Sequence, residues 1–98
     1  MLKEPQYTRY NMDRFYDKKT TDENGNITYY VSKEKLDLKH LQEIVGGHIE
    51  VIFRNNKMYI VDEEGLLKNY TPNISISEQL GYVVVGNIVV LSDKALLD

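Results

Sequence analysis

The clearest periodic stretch of the chain runs from Leu36 to Val45, where Leu38, Leu41, Ile44 and Val45 recur at helical spacing and make one apolar stripe. This spacing predicts a helix over 37–45. Asp37 offers a capping carboxylate, Leu36 and Leu41 stand where a hydrophobic staple closes the first turn, and Gly46 suits the left-handed position that ends a helix. Strand patterns occupy most of the remainder. Ile27-Thr-Tyr-Tyr-Val31 is β-branched and aromatic, Tyr7–Lys18 would set Tyr10, Met12, Arg14 and Tyr16 on one strand face, and Asn24-Gly25 between them tolerates the positive φ of a tight reversal. These segments predict a Tyr-rich hairpin.

His48–Phe53 and Lys57–Val61 flank Arg54-Asn-Asn-Lys57 and predict a second hairpin. An acidic turn at Glu63-Glu-Gly65 leads into Leu66–Tyr70, Pro72 ends that segment, and Asn73 can cap a short helix over Ile74–Leu80. The valine-rich stretch Gly81–Leu91 reads as a strand covered on both faces at the centre of a sheet, with Gly86-Asn87 either a two-residue reversal or a bulge. Ser92–Asp98 reads as a tail or a final half-turn. The elements assemble into an α+β fold: a small antiparallel sheet of about five strands with one main helix packed on a face. Residues 1–98 form a single domain, with a Tyr-rich N-terminal hairpin over 1–32 and a helix-plus-sheet core over 33–98.

Composition narrows the chemistry. Ninety-eight residues hold one modest core, and the absence of cysteine removes disulfides, thiolate metal sites and a thiol nucleophile while fitting a reducing compartment. The longest apolar runs, Tyr82–Val85 and Ile88–Leu91, are far too short to cross a bilayer, and the charged, proline-containing start is no signal peptide; a cytoplasmic protein is expected. Residues 1–41 carry eight Lys/Arg against seven Asp/Glu, and residues 42–98 carry four against eight, so the net −3 is split +1 and −4. That excess is too small to predict binding to duplex DNA.

Catalytic patterns are absent: there is no Gly-x-Ser-x-Gly elbow, and Glu63 and Glu64 are neighbours pointing opposite ways. Gly46-Gly47 can present amides to a phosphate or simply turn a helix into a strand, and the lack of a following Lys-Ser/Thr favours the corner. His48 and Glu50 with Asp62 or Glu64 suggest a divalent cation, but one histidine among solvated acids is also an ordinary polar face, so no metal and no cofactor is assigned. His40 is expected on the polar side of the helix or its edge, structural or exposed. The most suggestive feature is the aromatic-basic hairpin. Tyr10, Tyr16 and Tyr30, with Tyr29, can stack a base, while Arg14, Lys18, Lys35 and Lys39 hold phosphates; the same rings can equally fill a two-sided hairpin, or meet a protein.

Four segments recur together: Leu41–Glu50 with its Val-Gly-Gly-His-Ile-Glu core, Asp62-Glu-Glu-Gly65, Pro72-Asn73, and Gly86-Asn-Ile-Val-Val90. Over about residues 36–91 they resemble a family of small phage- and plasmid-encoded domains of unknown function. The resemblance implies a setting, that of a mobile-element accessory protein in a bacterial cytoplasm, and brings no chemistry with it. Combined with the aromatic and basic residues, it leads to the expectation of a non-enzymatic protein that sequesters a small nucleotide-like immune signal. The runner-up is an inhibitor that binds a host defence protein, and the third reading is a structural module of a phage assembly. An exposed apolar edge strand would favour a homo-oligomer.

Overall fold

The computed structural model describes residues 15–98. Strands β1 (Lys18–Thr21), β2 (Ile27–Val31), β3 (Ile49–Arg54), β4 (Lys57–Asp62) and β5 (Ile88–Leu91) form one sheet in the spatial order β1-β2-β5-β4-β3. Helix α1 (Leu38–Val45) follows β2, helix α2 (Ile74–Leu80) follows β4, and a 3-10 turn at Asp93–Ala95 follows β5. The expected α+β architecture is present, with one correction. The sheet is mixed, because β2 and β5 run parallel, Thr28 opposite Ile88 and Val31 opposite Leu91. Parallel neighbours need a long crossover, here the whole passage through α1, the β3–β4 hairpin and α2.

Local chemistry places each element. The Asp37 carboxylate accepts from the His40 amide at 2.8 Å, Leu36 and Leu41 are both buried, and Gly46 ends α1 at φ 101° with its amide on Gln42 O. Asn55 and Asn56 take φ 54° and 63°, the two positive angles of a type I′ turn, and so join β3 to β4 in two residues. Asn73 accepts from the Ile76 amide and starts α2.

Each face of the sheet has its own core. On one, Val31, Val89, Leu91 and Ile60 meet Leu36, Leu41 and Val45 of the α1 region; on the other, Ile88, Val90, Tyr59 and Val61 meet Ile76 and Leu80 of α2. All four residues of β5 are buried, as expected for a central strand, but the strand is shorter than its valines suggest. Val85 instead bridges Pro72, and Gly86 at φ 83° donates to Thr71 O, so Gly86-Asn87 is a corner leading into β5, neither reversal nor bulge. The Asn87 side chain then accepts from the Ile27 amide at the mouth of β2.

The first hairpin is tied to α2 through its turn. Asp22 Oδ1 accepts from the amides of Asn24 and Asn26, and Oδ2 accepts from the Ile74 amide at 2.8 Å, in the first turn of α2. Burial pushes the Asp22 carboxyl up, yet these hydrogen bonds outweigh it and hold the group below its usual range.

Candidate functional site

The residues proposed from sequence to grip a nucleotide do not converge. Tyr16 and Tyr29 lie together on the α1 face, ring centroids 5.2 Å apart and packed against its core. Tyr30 points to the opposite face, where it packs against the α2 core and accepts from Gln79 Nε2 at 2.9 Å. Adjacent residues of one strand must alternate faces, so Tyr29 and Tyr30 can never close on one base. Lys18 sits 5.0 Å over the Tyr30 ring and Lys19 5.9 Å over that of Tyr29, again on opposite sides. Lys35 pairs with Asp98, and Lys39 is exposed on α1. Tyr10 and Arg14 lie outside the described residues, as does most of the Tyr7–Lys18 strand reading; its described end, Phe15 to Asp17, precedes β1 and is not strand.

Other sequence candidates resolve into structure. The amides of Gly46 and Gly47 both donate to Gln42 O, which closes the helix and leaves neither amide for a phosphate. His48 is exposed and faces Glu63 at 3.9 Å, whereas Asp62 turns inward; no group of three or more His, Asp or Glu is gathered among the described residues. His40 is buried, contrary to a polar-edge placement, because Phe15 packs edge-on against its ring at 5.7 Å. Burial pushes its pKa down, against the pull of Asp37 and Glu43.

Asp62 is the centre of a buried polar node with Lys68 and Tyr70, a grouping that sequence reading missed. Its side chain is 1% exposed; Oδ2 accepts from Lys68 Nζ at 2.7 Å and from the Tyr70 hydroxyl at 3.0 Å, and Oδ1 from the Glu64 amide at 2.8 Å. Burial raises the Asp62 pKa, but those three donors outweigh it and the carboxyl lies below its usual range. Lys68 also donates to Gly46 O at 3.0 Å, so the node clamps the acidic turn to the end of α1. The glycines around it make the room. A Cβ at Gly46 would lie 2.5 Å from the Tyr70 hydroxyl, one at Gly47 2.5 Å from Lys68 Nζ, and one at Gly86 2.7 Å from the Tyr70 ring. The Val-Gly-Gly and late Gly segments therefore share one structural cause, while Gly65 of the Glu-Glu-Gly turn is crowded first by the Val85 side chain at 2.8 Å and then by the Tyr70 ring at 3.2 Å. No spacing in the sequence announces Tyr70, which lies in a run of turns.

Two concavities flank the node. One, about 340 Å³, is bordered by Asn26, Glu43, Tyr70 and Asn87. The other, about 210 Å³, lies on the α2 face, walled by Glu50 and Ile52 of β3, by Glu63, and by Leu66, Tyr82 and Val83. Among the described residues neither is lined by Tyr16, Tyr29, Tyr30 or any Lys or Arg, and Glu43 and Glu50 would repel phosphate. The rim of the second is unusually apolar: Leu66 is 75% exposed, Tyr82 50% and Val83 63%, with Leu67 at 82% next to Leu66. Large apolar side chains held in solvent around a cleft form the kind of patch that protein partners cover in other proteins. The signal for it was present in the sequence: paired apolar residues in segments bounded by glycine and proline, with no period to bury them.

Residues 21–95 match a domain of unknown function, DUF3846. That match takes in most of the chain, including the second strand of the Tyr-rich hairpin, and the protein belongs to this family. Neither a curated protein nor a solved structure matches the chain. No helix among the described residues is long and apolar enough to cross a membrane.

Proposed function

We propose that this DUF3846 member is a non-catalytic protein-binding module of mobile-element type, and that it engages its partner through the Leu66–Leu67 and Tyr82–Val83 ridge. The observation that carries this reading is the exposure of four large apolar side chains, three of them around one cleft. A ridge of this kind contributes affinity by burying apolar area, with anchors set into a depression and a polar rim excluding water. Glu50, Glu63 and Glu64 supply the rim, so the partner presents apolar residues flanked by lysine or arginine. In the mobile-element setting implied by the sequence resemblance, such a partner is a host defence protein, and the module acts by covering it. The competing reading, sequestration of a nucleotide-like signal, rests on the Tyr-rich hairpin, where Lys18 over Tyr30 and Lys19 over Tyr29 put a cation on the ring face a base would use.

The test selects peptides from a displayed library on immobilised protein and maps the binders by chemical-shift perturbation. Apolar-basic peptides are expected to perturb Leu66, Tyr82 and Val83, and Leu66→Asp with Val83→Asp to weaken binding at least about tenfold. Both side chains are exposed, so thermal stability stays within about 0.5 kcal/mol of wild type. Binders that perturb other faces, or a nucleotide that raises Tm and shifts Lys18 and Tyr30, would overturn the reading.

A further inference from the structure

The sheet has two edges, and they are built differently. β1 is four residues long and carries Lys18 and Lys19, a charged, short edge of the kind that resists pairing. β3 is six residues long, pairs only with β4 among the described residues, and holds Val51 and Phe53 at 42% and 62% exposure. Its backbone polarity follows from the turn. The type I′ turn at Asn55-Asn56 makes Arg54 and Lys57 a hydrogen-bonded pair, and in an antiparallel ladder such pairs alternate, so Ile52 and Glu50 also bond toward β4. The Glu63 amide donating to His48 O at 2.9 Å continues the same series. The amides and carbonyls of Val51 and Phe53 therefore face outward.

We infer that β3 pairs with β3 of a second copy, antiparallel about a two-fold axis at Ile52, to give one continuous ten-stranded sheet. A two-fold axis normal to the sheet pairs residues of the same face, so the candidate registers differ by steps of two and only one is self-complementary. Centred on Ile52, Glu50 of each copy meets Arg54 of the other, twice, and Val51 meets Phe53, twice, with Ile52 against itself. Val51 and Phe53 are then the hydrogen-bonded pairs, which satisfies the four outward groups that these two residues present on each edge. Centred on Val51, Glu50 faces Ile52; centred on Phe53, Arg54 faces Ile52; centred on Glu50, two carboxylates oppose. Arg54 is already held on the correct face, since Nη1 donates to Leu80 O at 2.5 Å at the end of α2, and its remaining donors are available to Glu50 of the second copy.

Sedimentation equilibrium across a wide concentration range tests this on the full chain. Wild type is expected to dimerise reversibly. Glu50→Arg and Arg54→Glu each place two like-charge pairs across the axis and are expected to weaken the dimer at least about tenfold. Mixing the two variants restores opposite charges at both positions and is expected to recover a heterodimer at wild-type strength. In case Arg54→Glu disturbs the end of α2, Ile52→Cys gives the cysteine-free chain a single thiol at the axis, where facing Cβ atoms lie about 4.5–5.5 Å apart, close enough to oxidise to a covalent dimer with small backbone adjustment. Glu50→Cys, off the axis, serves as the control and stays monomeric under the same oxidant. Wild type that remains monomeric throughout, charge variants that associate like wild type, or equal crosslinking of Ile52→Cys and Glu50→Cys would each overturn the proposal.

Discussion

Asn73 is the residue whose replacement tests most of the structural reasoning at once. It is 1% exposed, and its side chain makes three hydrogen bonds to three parts of the fold. Its Oδ1 accepts from the Ile76 amide at 3.1 Å and caps α2, while Nδ2 donates to Thr28 Oγ1 on β2 at 3.0 Å and to Gly86 O, at the corner before β5, at 2.9 Å. Asn73→Ala removes a cap, costing about 1 kcal/mol, and strips a donor from two buried acceptors, of which at least one stays unsatisfied at about 1–3 kcal/mol. The total of about 2–4 kcal/mol corresponds to a fall in Tm of roughly 10–25 °C for a domain of this size. Asn73→Asp separates the two roles. The cap acceptor is kept, but a carboxylate oxygen now faces the Gly86 carbonyl in a buried site, which raises the folded pKa of the introduced carboxyl. A group whose folded pKa is raised is penalised above that pKa and unpenalised below its unfolded value, so the defect relative to wild type is large at pH 7 and shrinks as pH falls toward about 4, where the O–H can donate to Gly86 O. Urea unfolding followed by far-UV circular dichroism measures both. Asn73→Ala within about 0.5 kcal/mol of wild type, or Asn73→Asp matching wild type at neutral pH, would refute the assignment of this residue as the joint between α2, β2 and the β5 corner.

Other consequences are as direct. Asp62 has a folded pKa below the 3.8 of an ordinary aspartate, so its contribution is present above that value and lost as pH falls through the folded one; Asp62→Asn should lower neutral-pH stability and flatten the acid limb of a Tm-against-pH curve, and an unchanged acid limb would contradict the clamp. His40 is held neutral by burial, with a folded pKa below 6.5, so acidification from neutrality should lower Tm, and His40→Asn should remove that slope as seen by differential scanning fluorimetry. Gly86→Ala meets both a φ of 83° and the Tyr70 ring at 2.7 Å, and should cost about 2–4 kcal/mol; combined with Tyr70→Ala the cost should be less than additive in a double-mutant cycle, and strict additivity would deny the contact. Asn56→Gly keeps the positive φ of the β3–β4 turn at lower strain and should raise stability by a few tenths of a kcal/mol, up to about 1, in chemical denaturation.

Where local physics suffices, the chain can be read directly. Asp37, the Leu38–Val45 stripe and Gly46 define α1 because cap, periodicity and stop all act within one or two turns, and Asn55-Asn56 defines the second hairpin because a two-residue turn with positive φ leaves no other connection. The burial of β5 was legible as well, since a strand apolar at every position needs cover on both faces. What tertiary structure alone decided are relations between distant segments. The parallel pairing of β2 with β5 is set by how a long crossover returns to the sheet, and no local pattern carries strand direction. Asp62, Lys68, Tyr70 and the glycines at 46, 47 and 86 meet only once the acidic turn folds onto the end of α1, so the reason for glycine at those positions lies in side chains up to 24 residues away. The division of Tyr29 and Tyr30 between two faces follows from strand alternation, which the sequence states; that each face would be claimed by its own core, and so spend the rings as packing, depends on α1 and α2 covering opposite sides of one sheet.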